Sequence, residues 1–486
     1  MKHLLRDLWG FVLILLILVA SGFGYLTWKI TNHENILSEK HFAAKQDYLD
    51  QLAAMPAATG QDAPNLVVIL FDDMGYGDIG AYGNRLIKTP NIDQAAARGM
   101  MMTNGFSSAP YCTPARAGLL TGRLAGRMNL KQVTFPHNTP LDWIARLTGT
   151  GTAMPQDEIT LAEILQARGY RTHMIGKWHL GDTYDAHPLS FGFESYFGVL
   201  FSNDMQPMHL YRNREIVRPH PLDQTVLTRD YTKSATMFIA EQGNQPFFLY
   251  FAHTFPHIPL YADPAHQGQS DGGLYGDVIE DLDRSVGEVM AALEKAGTLD
   301  NTLILITSDN GPWYQGSAGP VRGRKNETLE GGMRVPLMLI WPGRIRETTS
   351  DRMVMGTDLV PTMLSLTATP APSDRLLDGK NFSPLFNDPT ATIHDALFLE
   401  KAGQLEAIRT QTHKFRDNHP LYGGTSFVLD LAHAPKRGAM LFDLERDPYE
   451  AYDTTDSNPA LRQELETRLR AAQAKWDANR RGWRDQ

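Results

Sequence analysis

Asn65-Leu-Val-Val-Ile-Leu-Phe71, followed at once by Asp72-Asp73, is the stretch on which the fold of this chain turns. Its seven positions show no alternation of polar and apolar residues, and Val67, Val68 and Ile69 are β-branched. A strand with one wet face alternates, whereas a strand covered on both faces reads as a continuous apolar run. Two further segments have the same character, Phe247-Phe-Leu-Tyr-Phe251 and Thr302-Leu-Ile-Leu-Ile-Thr307, and Arg171-Thr-His-Met-Ile175 reads as a shorter strand. Helical signals lie between them. Thr160-Leu-Ala-Glu163 has capping-box spacing and opens a helix to about Arg168, with Gly169 beyond it. Ile279, Leu282, Val286, Val289 and Leu293 recur at helical spacing and stop before Gly297. Strands and helices in alternation predict an α/β domain over residues 65–390, with a large mixed, mainly parallel sheet sandwiched by helices.

The pattern changes after about Thr390. Ala396-Leu-Phe-Leu-Glu400 and Ala439-Met-Leu-Phe-Asp443 read as strands of a separate small sheet, and a helical stretch runs from about Pro459 to Trp476. Residues 391–486 are therefore expected to form a smaller C-terminal α+β subdomain. At the other end, Lys2, His3 and Arg6 precede an uncharged stretch from Leu8 to Trp28. About 20 apolar residues span a bilayer, and a signal-peptide core needs only about 7–15. Residues 1–28 are expected to be a membrane anchor or signal peptide, with the basic flank inside and the body exported. Residues 29–64, polar and rich in Ala and Gln, read as a linker, partly helical, that ends in Ala-Ala-Thr-Gly-Gln-Asp-Ala-Pro.

Composition narrows the chemistry. The chain has 486 residues, a formal charge of -9 and a pI near 6.0, so no general attraction to nucleic acid exists. Cations for an anionic substrate must instead be gathered locally. With one cysteine, Cys112, no intramolecular disulfide forms. The strand ends carry the acids: Asp72-Asp73 follow the first strand, and Ser308-Asp309-Asn310-Gly311 follow the Thr302–Thr307 strand. Adjacent carboxylates repel unless a cation lies between them. Asp72, Asp73, Asp309 and Asn310 are oxygen donors suited to one hard divalent cation, Ca²⁺ or Mg²⁺, and no Cys/His cluster with zinc spacing is present. Ligands of open α/β sheets bind beyond the carboxyl ends of the strands, which is where these acids fall. Pro114 suits a first helical turn, placing Cys112 just before a helix N-terminus, where an anion is favoured.

Cys112-Thr-Pro114-Ala-Arg116 with Leu119-Leu-Thr-Gly122-Arg123 resembles the signature of the type I sulfatases of the alkaline phosphatase superfamily. The resemblance runs in order through Gly176-Lys-Trp-His-Leu-Gly181, Pro256-His257-Ile-Pro259, Thr307-Ser-Asp309-Asn310-Gly311 and Gly323-Arg-Lys325 with Glu330 to Pro336. It closes on Leu441 to Pro448 followed by Glu450, and so covers nearly all of the chain from Asn65. It implies an alkaline-phosphatase-like fold and hydrolysis of aryl or carbohydrate sulfate esters. It also implies conversion of Cys112 to formylglycine by a separate maturation enzyme, the hydrated aldehyde attacking sulfur. Carried over residue by residue, Asp72, Asp73, Asp309, Asn310 and the side chain at 112 bind the metal, and Arg116 stabilises the modified residue. Lys177 and Lys325 hold the sulfate, His257 protonates the leaving oxygen, and His179 takes the diol proton. Ser202, in Leu200-Phe-Ser-Asn-Asp204, resembles a serine near the substrate of some arylsulfatases, and His253 is read as structural. Some relatives with the same Cys-x-Pro-x-Arg core act on phosphorus, so a phosphodiesterase or phosphonate monoester hydrolase is the alternative, against which the Lys177, His179 and Lys325 set speaks. A catalytically silent relative is expected to lack ligands or nucleophile, and here each position is filled. Substrate selectivity is expected from residues 131–156, with Phe135, His137 and Trp143, and from residues 312–319, with Trp313.

Overall fold

The computed structural model describes residues 2–33, 35–57, 63–417 and 438–484. A ten-stranded sheet runs through the body. Its parallel centre is formed, in spatial order, by Thr302–Ser308, Asn65–Phe71, Phe247–Ala252, Arg171–Lys177 and Ser195–Val199. Leu337–Ile340 joins antiparallel beside Thr302–Ser308 and leads to an edge of Met100–Met102 and Thr348–Ser350. Leu210–Arg212 and Glu215–Arg218 form the other edge, also antiparallel.

The unbroken apolar runs have the expected cause. In Asn65–Phe71 the residues Leu66, Val68 and Leu70 enter one core, while Val67, Ile69 and Phe71 enter the core on the opposite face. Period-2 geometry divides the side chains between the faces, so both sets must be apolar when both faces are covered. One face is covered by Leu227–Glu241 and Gly273–Lys295; Ile279, Leu282, Val286, Val289 and Leu293 of the latter are all buried there. The other face is covered by Cys112–Thr121, Leu161–Ala167 and Leu359–Leu366. Thr160 caps Leu161–Ala167: its hydroxyl accepts from the Glu163 N–H at 3.2 Å and the Glu163 carboxylate accepts from the Thr160 N–H at 2.9 Å. Gly176, φ +95°, is required where two strands meet, because a Cβ there would lie 1.7 Å from the Ala252 carbonyl oxygen.

The C-terminal part is a four-stranded antiparallel sheet of Ala396–Lys401, Gln404–Thr410, His413–Arg416 and Met440–Asp443. The helix Pro459–Ala478 packs on it through Leu465, Leu469 and Trp476. Residues 418–437 of the expected subdomain lie outside the described residues. The small sheet is bolted to the body by a buried group of charges. Lys414 Nζ lies 2.9 Å from Glu330 Oε1 and 3.0 Å from Glu450 Oε1, and Glu450 Oε2 accepts from the Glu330 N–H at 2.6 Å. Against the upward push of burial, Lys414 and Arg409 hold the Glu330 carboxyl down at about 2.

The N-terminal helix Lys2–Thr31 includes a stretch, Ile14–Thr31, long and apolar enough to cross a membrane, with none of it buried. The stretch read as a linker behaves differently along its length. Glu39–Ala54 is a helix whose His41, Lys45 and Leu52 are buried, with Lys45 Nζ 2.6 Å from Glu163 Oε1. It belongs to the body because burial of Leu52 and of a paired Lys45 gives it a fixed seat, which a solvated spacer lacks. Residues 58–62, in the Ala/Gly/Gln-rich end of that stretch, lie outside the described residues. Leu52→Ala leaves a cavity under this helix and is expected to lower unfolding stability by roughly 2–4 kcal/mol, read as a shift of the denaturant midpoint. A midpoint equal to that of the parent would return the segment to the status of a spacer.

Candidate active site

The site is built at the carboxyl ends of the central strands. Asn65–Phe71 and Thr302–Ser308 pair parallel with Phe71 opposite Ser308. The chain therefore leaves both strands at one level, and Asp309 N–H donates to the Phe71 carbonyl at 3.0 Å. Asp73 turns with φ +68°, a conformation that aspartate tolerates better than most side chains, and its N–H donates to Asp309 Oδ1 at 3.2 Å. Asn310 Nδ2 donates to Asp73 Oδ1 at 2.7 Å. Its Oδ1 is buried with no hydrogen-bond partner, an uncommon condition for an amide oxygen in a packed interior.

Cys112 is the first residue of its helix, with Tyr111 as the N-cap in extended conformation. The sequence placed it one step earlier; the helix starts sooner because the extended Tyr111, not Cys112, makes the turn, with the Tyr111 carbonyl accepting from the Ala115 N–H at 3.1 Å. Cys112 Sγ lies 3.6 Å from Asp72 Oδ1 and 3.9 Å from Asp73 Oδ1. Donor atoms of Asp72, Asp73, Cys112 and Asp309 all fall within 4.8 Å of one another. With the orphaned Asn310 oxygen, this oxygen-rich set fits one hard divalent cation. Burial and the adjoining Asp72 charge push the Asp309 carboxyl up to about 7. Against burial, Lys177, His257 and Arg116 hold Asp72 far below the usual carboxylate range. Burial pushes the Cys112 thiol well above its ordinary value, so the unmodified side chain is a poor thiolate nucleophile at neutral pH.

Three cations enclose the acids. Arg116, fully buried one helical turn after Cys112, lies with Nη2 2.9 Å from Asp309 Oδ2 and donates from Nη1 to the Lys177 carbonyl at 2.6 Å. Lys177, at the end of its strand, places Nζ 2.6 Å from Asp72 Oδ2 and 2.9 Å from Ser202 Oγ. Lys325 reaches in from the opposite loop, with Nζ 2.8 Å from Asp73 and 3.2 Å from Cys112 Sγ. Asp73 holds the buried Lys325 ammonium well above the usual lysine range, against the effect of burial.

Two histidines complete the ring. His257 Nδ1 faces the Ile258 carbonyl at 2.6 Å and Asn203 Oδ1 at 2.9 Å, both acceptors, so Nδ1 carries the hydrogen. Nε2 is left facing Ser202 Oγ at 3.2 Å and Asp73 Oδ2 at 3.7 Å. His179, in the left-handed region at φ +61°, faces the Thr134 carbonyl with Nε2 at 3.1 Å. That contact puts the hydrogen on Nε2 and leaves Nδ1 as a buried, unpaired acceptor. Burial, then Lys177 and Arg116, keep His179 well below the ordinary imidazole range, and burial with Lys325 lowers His257.

All eleven residues singled out from sequence thus meet in one place. His253 does not: it is fully buried beside Phe251, and burial alone holds it down at about 3. Asn203 and Thr134 were not singled out. Asn203 is locked by Nδ2 donation to the Pro259 carbonyl at 2.8 Å, which turns its oxygen to His257. Its one sequence signal is adjacency to Ser202; Thr134 offers none, because it acts through its backbone oxygen. A cleft of about 260 Å³ opens above these groups, lined also by Gln132, Phe135, Met205 and Trp313. His137 and Trp143 are not among its lining residues. The helix Pro140–Thr148 that carries Trp143 is tied instead to the N-terminal helix, Lys29 Nζ donating to the Leu147 carbonyl at 2.5 Å.

Comparison with known proteins agrees with this geometry. The sulfatase family profile matches residues 64–369, and that of the N-sulphoglucosamine sulphohydrolase C-terminal family matches residues 325–475. The chain is similar to N-acetylgalactosamine-6-sulfatase of Homo sapiens, 37% identical over 353 residues, covering 68% of this chain and 67% of that protein. It is 33% identical to arylsulfatase A of Bos taurus over 452 residues, covering 84% of this chain and 86% of the relative. In fold it resembles a sulfatase from Pseudoalteromonas sp., with a TM-score of 0.73, 24% identity, and 91% and 95% of the two chains covered. The strand-end acids and their three cations therefore sit in a member of the sulfatase family, an enzyme that hydrolyses sulfate esters.

Proposed function

We propose that the chain cleaves sulfate esters of saccharides, with residue 112 as nucleophile in its formylglycine form and one divalent cation, Ca²⁺ or Mg²⁺, held by Asp72, Asp73, Asp309 and Asn310. The observation that carries the reading is the ring of Lys177, Lys325 and Arg116 closed around Cys112 and the strand-end acids. When present, the cation supplies positive charge to a sulfate oxygen, and the hydrated aldehyde supplies an oxygen nucleophile. The remainder of the chemistry belongs to the side chains described above. Sulfate oxygens repel an incoming nucleophile, and Lys177 and Lys325 offset that charge in a buried setting where their fields are weakly screened. Arg116 holds Asp309 and the end of the Lys177 strand in place. His257 Nε2 faces the cleft, and a proton carried there passes to the leaving oxygen; Asp73 offsets part of the lowering that burial and Lys325 impose on this imidazole. His179 Nδ1 has its lone pair free because Thr134 occupies Nε2, which suits it to accept a proton from the side chain at 112.

The saccharide class rests on the similarity to an N-acetylgalactosamine-6-sulfatase and on the mixed polar and aromatic lining of the cleft, with Phe135 and Trp313 suited to sugar faces. The apolar Ile14–Thr31 helix, following Lys2, His3 and Arg6, supports export with the body on the outer side of a membrane, and a separate formylglycine-generating enzyme is the implied partner in maturation.

Co-expression with a formylglycine-generating enzyme is expected to yield hydrolysis of sulfated monosaccharides and aryl sulfates, with aryl phosphonates cleaved far more slowly. Cys112→Ala is expected to abolish all of it. A preference for the phosphonate would sink the sulfate reading of the ring and favour the phosphorus alternative.

His257→Ala is expected to reduce kcat by about 10²–10⁴-fold on an ester with a poor leaving group, and much less on an activated aryl ester. Equal losses on both would remove His257 from the acid role.

Metal affinity should follow pH with a definite sign. A proton on Asp309 competes with the cation, so raising pH through about 7 strengthens binding of Ca²⁺ to the metal-free protein, and lowering it weakens binding. Calorimetric titrations at pH 6 and pH 8 test this, and a flat profile would show that Asp309 does not compete as described.

A further inference from the structure

A second cleft of about 420 Å³ adjoins the active-site cleft and shares Lys325 with it. Its lining includes Arg322, Arg324 and Glu327, with Tyr314 and Tyr449 at the rim, 60% and 53% exposed. The loop that forms it is tied to the nucleophile loop. Asn326 N–H donates to the Pro110 carbonyl at 2.8 Å, Lys325 N–H to Pro312 at 3.0 Å, and Gly331 N–H to Arg322 at 2.7 Å. The cleft is therefore a fixed continuation of the site.

Its charges are unequally used. Lys325 is occupied by Asp73 and Cys112. Arg324 donates from Nη1 to the Trp313 and Gly316 carbonyls at 2.7 and 2.8 Å, and its guanidinium lies 5.4 Å from the Tyr314 ring centre. Glu327 accepts from the Arg324 N–H at 2.9 Å. Arg322 is different. Its Nε is buried and unpaired, and its guanidinium makes no hydrogen bond or ion pair among the described residues. An arginine fork partly removed from water and left without an acceptor is matched by a planar or tetrahedral oxyanion, which it binds through two parallel N–H donors. Sugar rings stack on exposed tyrosines, so the rim suits the same ligand.

We propose that this cleft is a second subsite, in which Arg322 binds a further anionic group, a sulfate or a carboxylate, on a saccharide whose scissile sulfate lies at Cys112. The inference rests on the saccharide reading above and deepens it: the substrate is a polyanionic saccharide, not a singly sulfated sugar.

The test uses the full-length Cys112→Ala protein, which binds without turnover, and calorimetric affinities for three disaccharides: one with a single sulfate, one with a second sulfate on the neighbouring unit, and one with a carboxylate there. The parent is expected to bind both doubly charged ligands more tightly. Arg322→Gln is expected to weaken them by about tenfold while changing the singly sulfated ligand less than about twofold, and Arg322→Lys is expected to recover part of the loss. The stronger of the two doubly charged ligands identifies the anion. Equal losses on all three, no loss on any, or no binding of any by the parent overturns the subsite. Turnover by the matured enzyme separates the two readings. If only aryl sulfates are cleaved while the Arg322-dependent affinity persists, the saccharide-ester reading falls and the subsite stands. If saccharide sulfates are cleaved without dependence on Arg322, the reverse holds.

Discussion

The in-register parallel pairing of Asn65–Phe71 with Thr302–Ser308 is the constraint on which the rest of this molecule depends. Because Phe71 and Ser308 lie opposite each other, the chain delivers Asp72 and Asp73 from one strand and Asp309 and Asn310 from the next to a single point. A slip of one residue would turn every side chain to the opposite face and scatter those acids. The slip is resisted by the two cores, since Leu66, Val68 and Leu70 fill one and Val67, Ile69 and Phe71 the other. Hydrophobic burial on both faces of a strand thus sets the geometry of a polar site at its end.

Such a concentration of buried acid is tolerable only with compensating charge, and the molecule supplies it from separate elements. Arg116 comes from the helix after Cys112, Lys177 from the end of a third strand, and Lys325 from a loop across the cleft. The buried Asn310 oxygen without a partner, and an Asp309 carboxyl raised to about 7 by burial and Asp72, are the marks of an arrangement shaped for one more positive charge. Burial lowers both histidines, with Lys177 and Lys325 adding to it, while neighbouring acceptors set their tautomers. Thr134 and Asn203 decide which ring nitrogen of His179 and His257 is available. Both act at some distance along the chain from the rings they orient.

Parts remote from the chemistry serve it by holding loops still. The Glu330–Lys414–Glu450 group joins the small C-terminal sheet to the segment just beyond Lys325, so the subdomain acts as a clamp on the loop that lines both clefts. The helix Glu39–Ala54 is seated on the body through Lys45 and Glu163. Glu163 therefore both closes the capping box of Leu161–Ala167 and pairs with Lys45, which explains why a residue with an apparently local role is almost wholly buried.

Sequence by itself determined the α/β class, the central strands and the periodic helix ending before Gly297, and its motif blocks named side chains that the fold brings together at one strand end. These are written in short-range patterns: apolar runs, capping spacing, and motif blocks whose residues lie within a few positions of one another. Only the tertiary structure decided the rest. It made Glu39–Ala54 part of the body, because the partners of Lys45 and Leu52 lie far along the chain and leave no trace in a polar, alanine-rich segment. It moved Trp143 away from the cleft while keeping Phe135 and Trp313 there, because aromatic residues in loops look alike until their elements are packed. It also revealed Thr134, Asn203 and Arg322. Their significance lies in a carbonyl direction, an amide orientation and a missing partner, which are properties of spatial arrangement rather than of residue type.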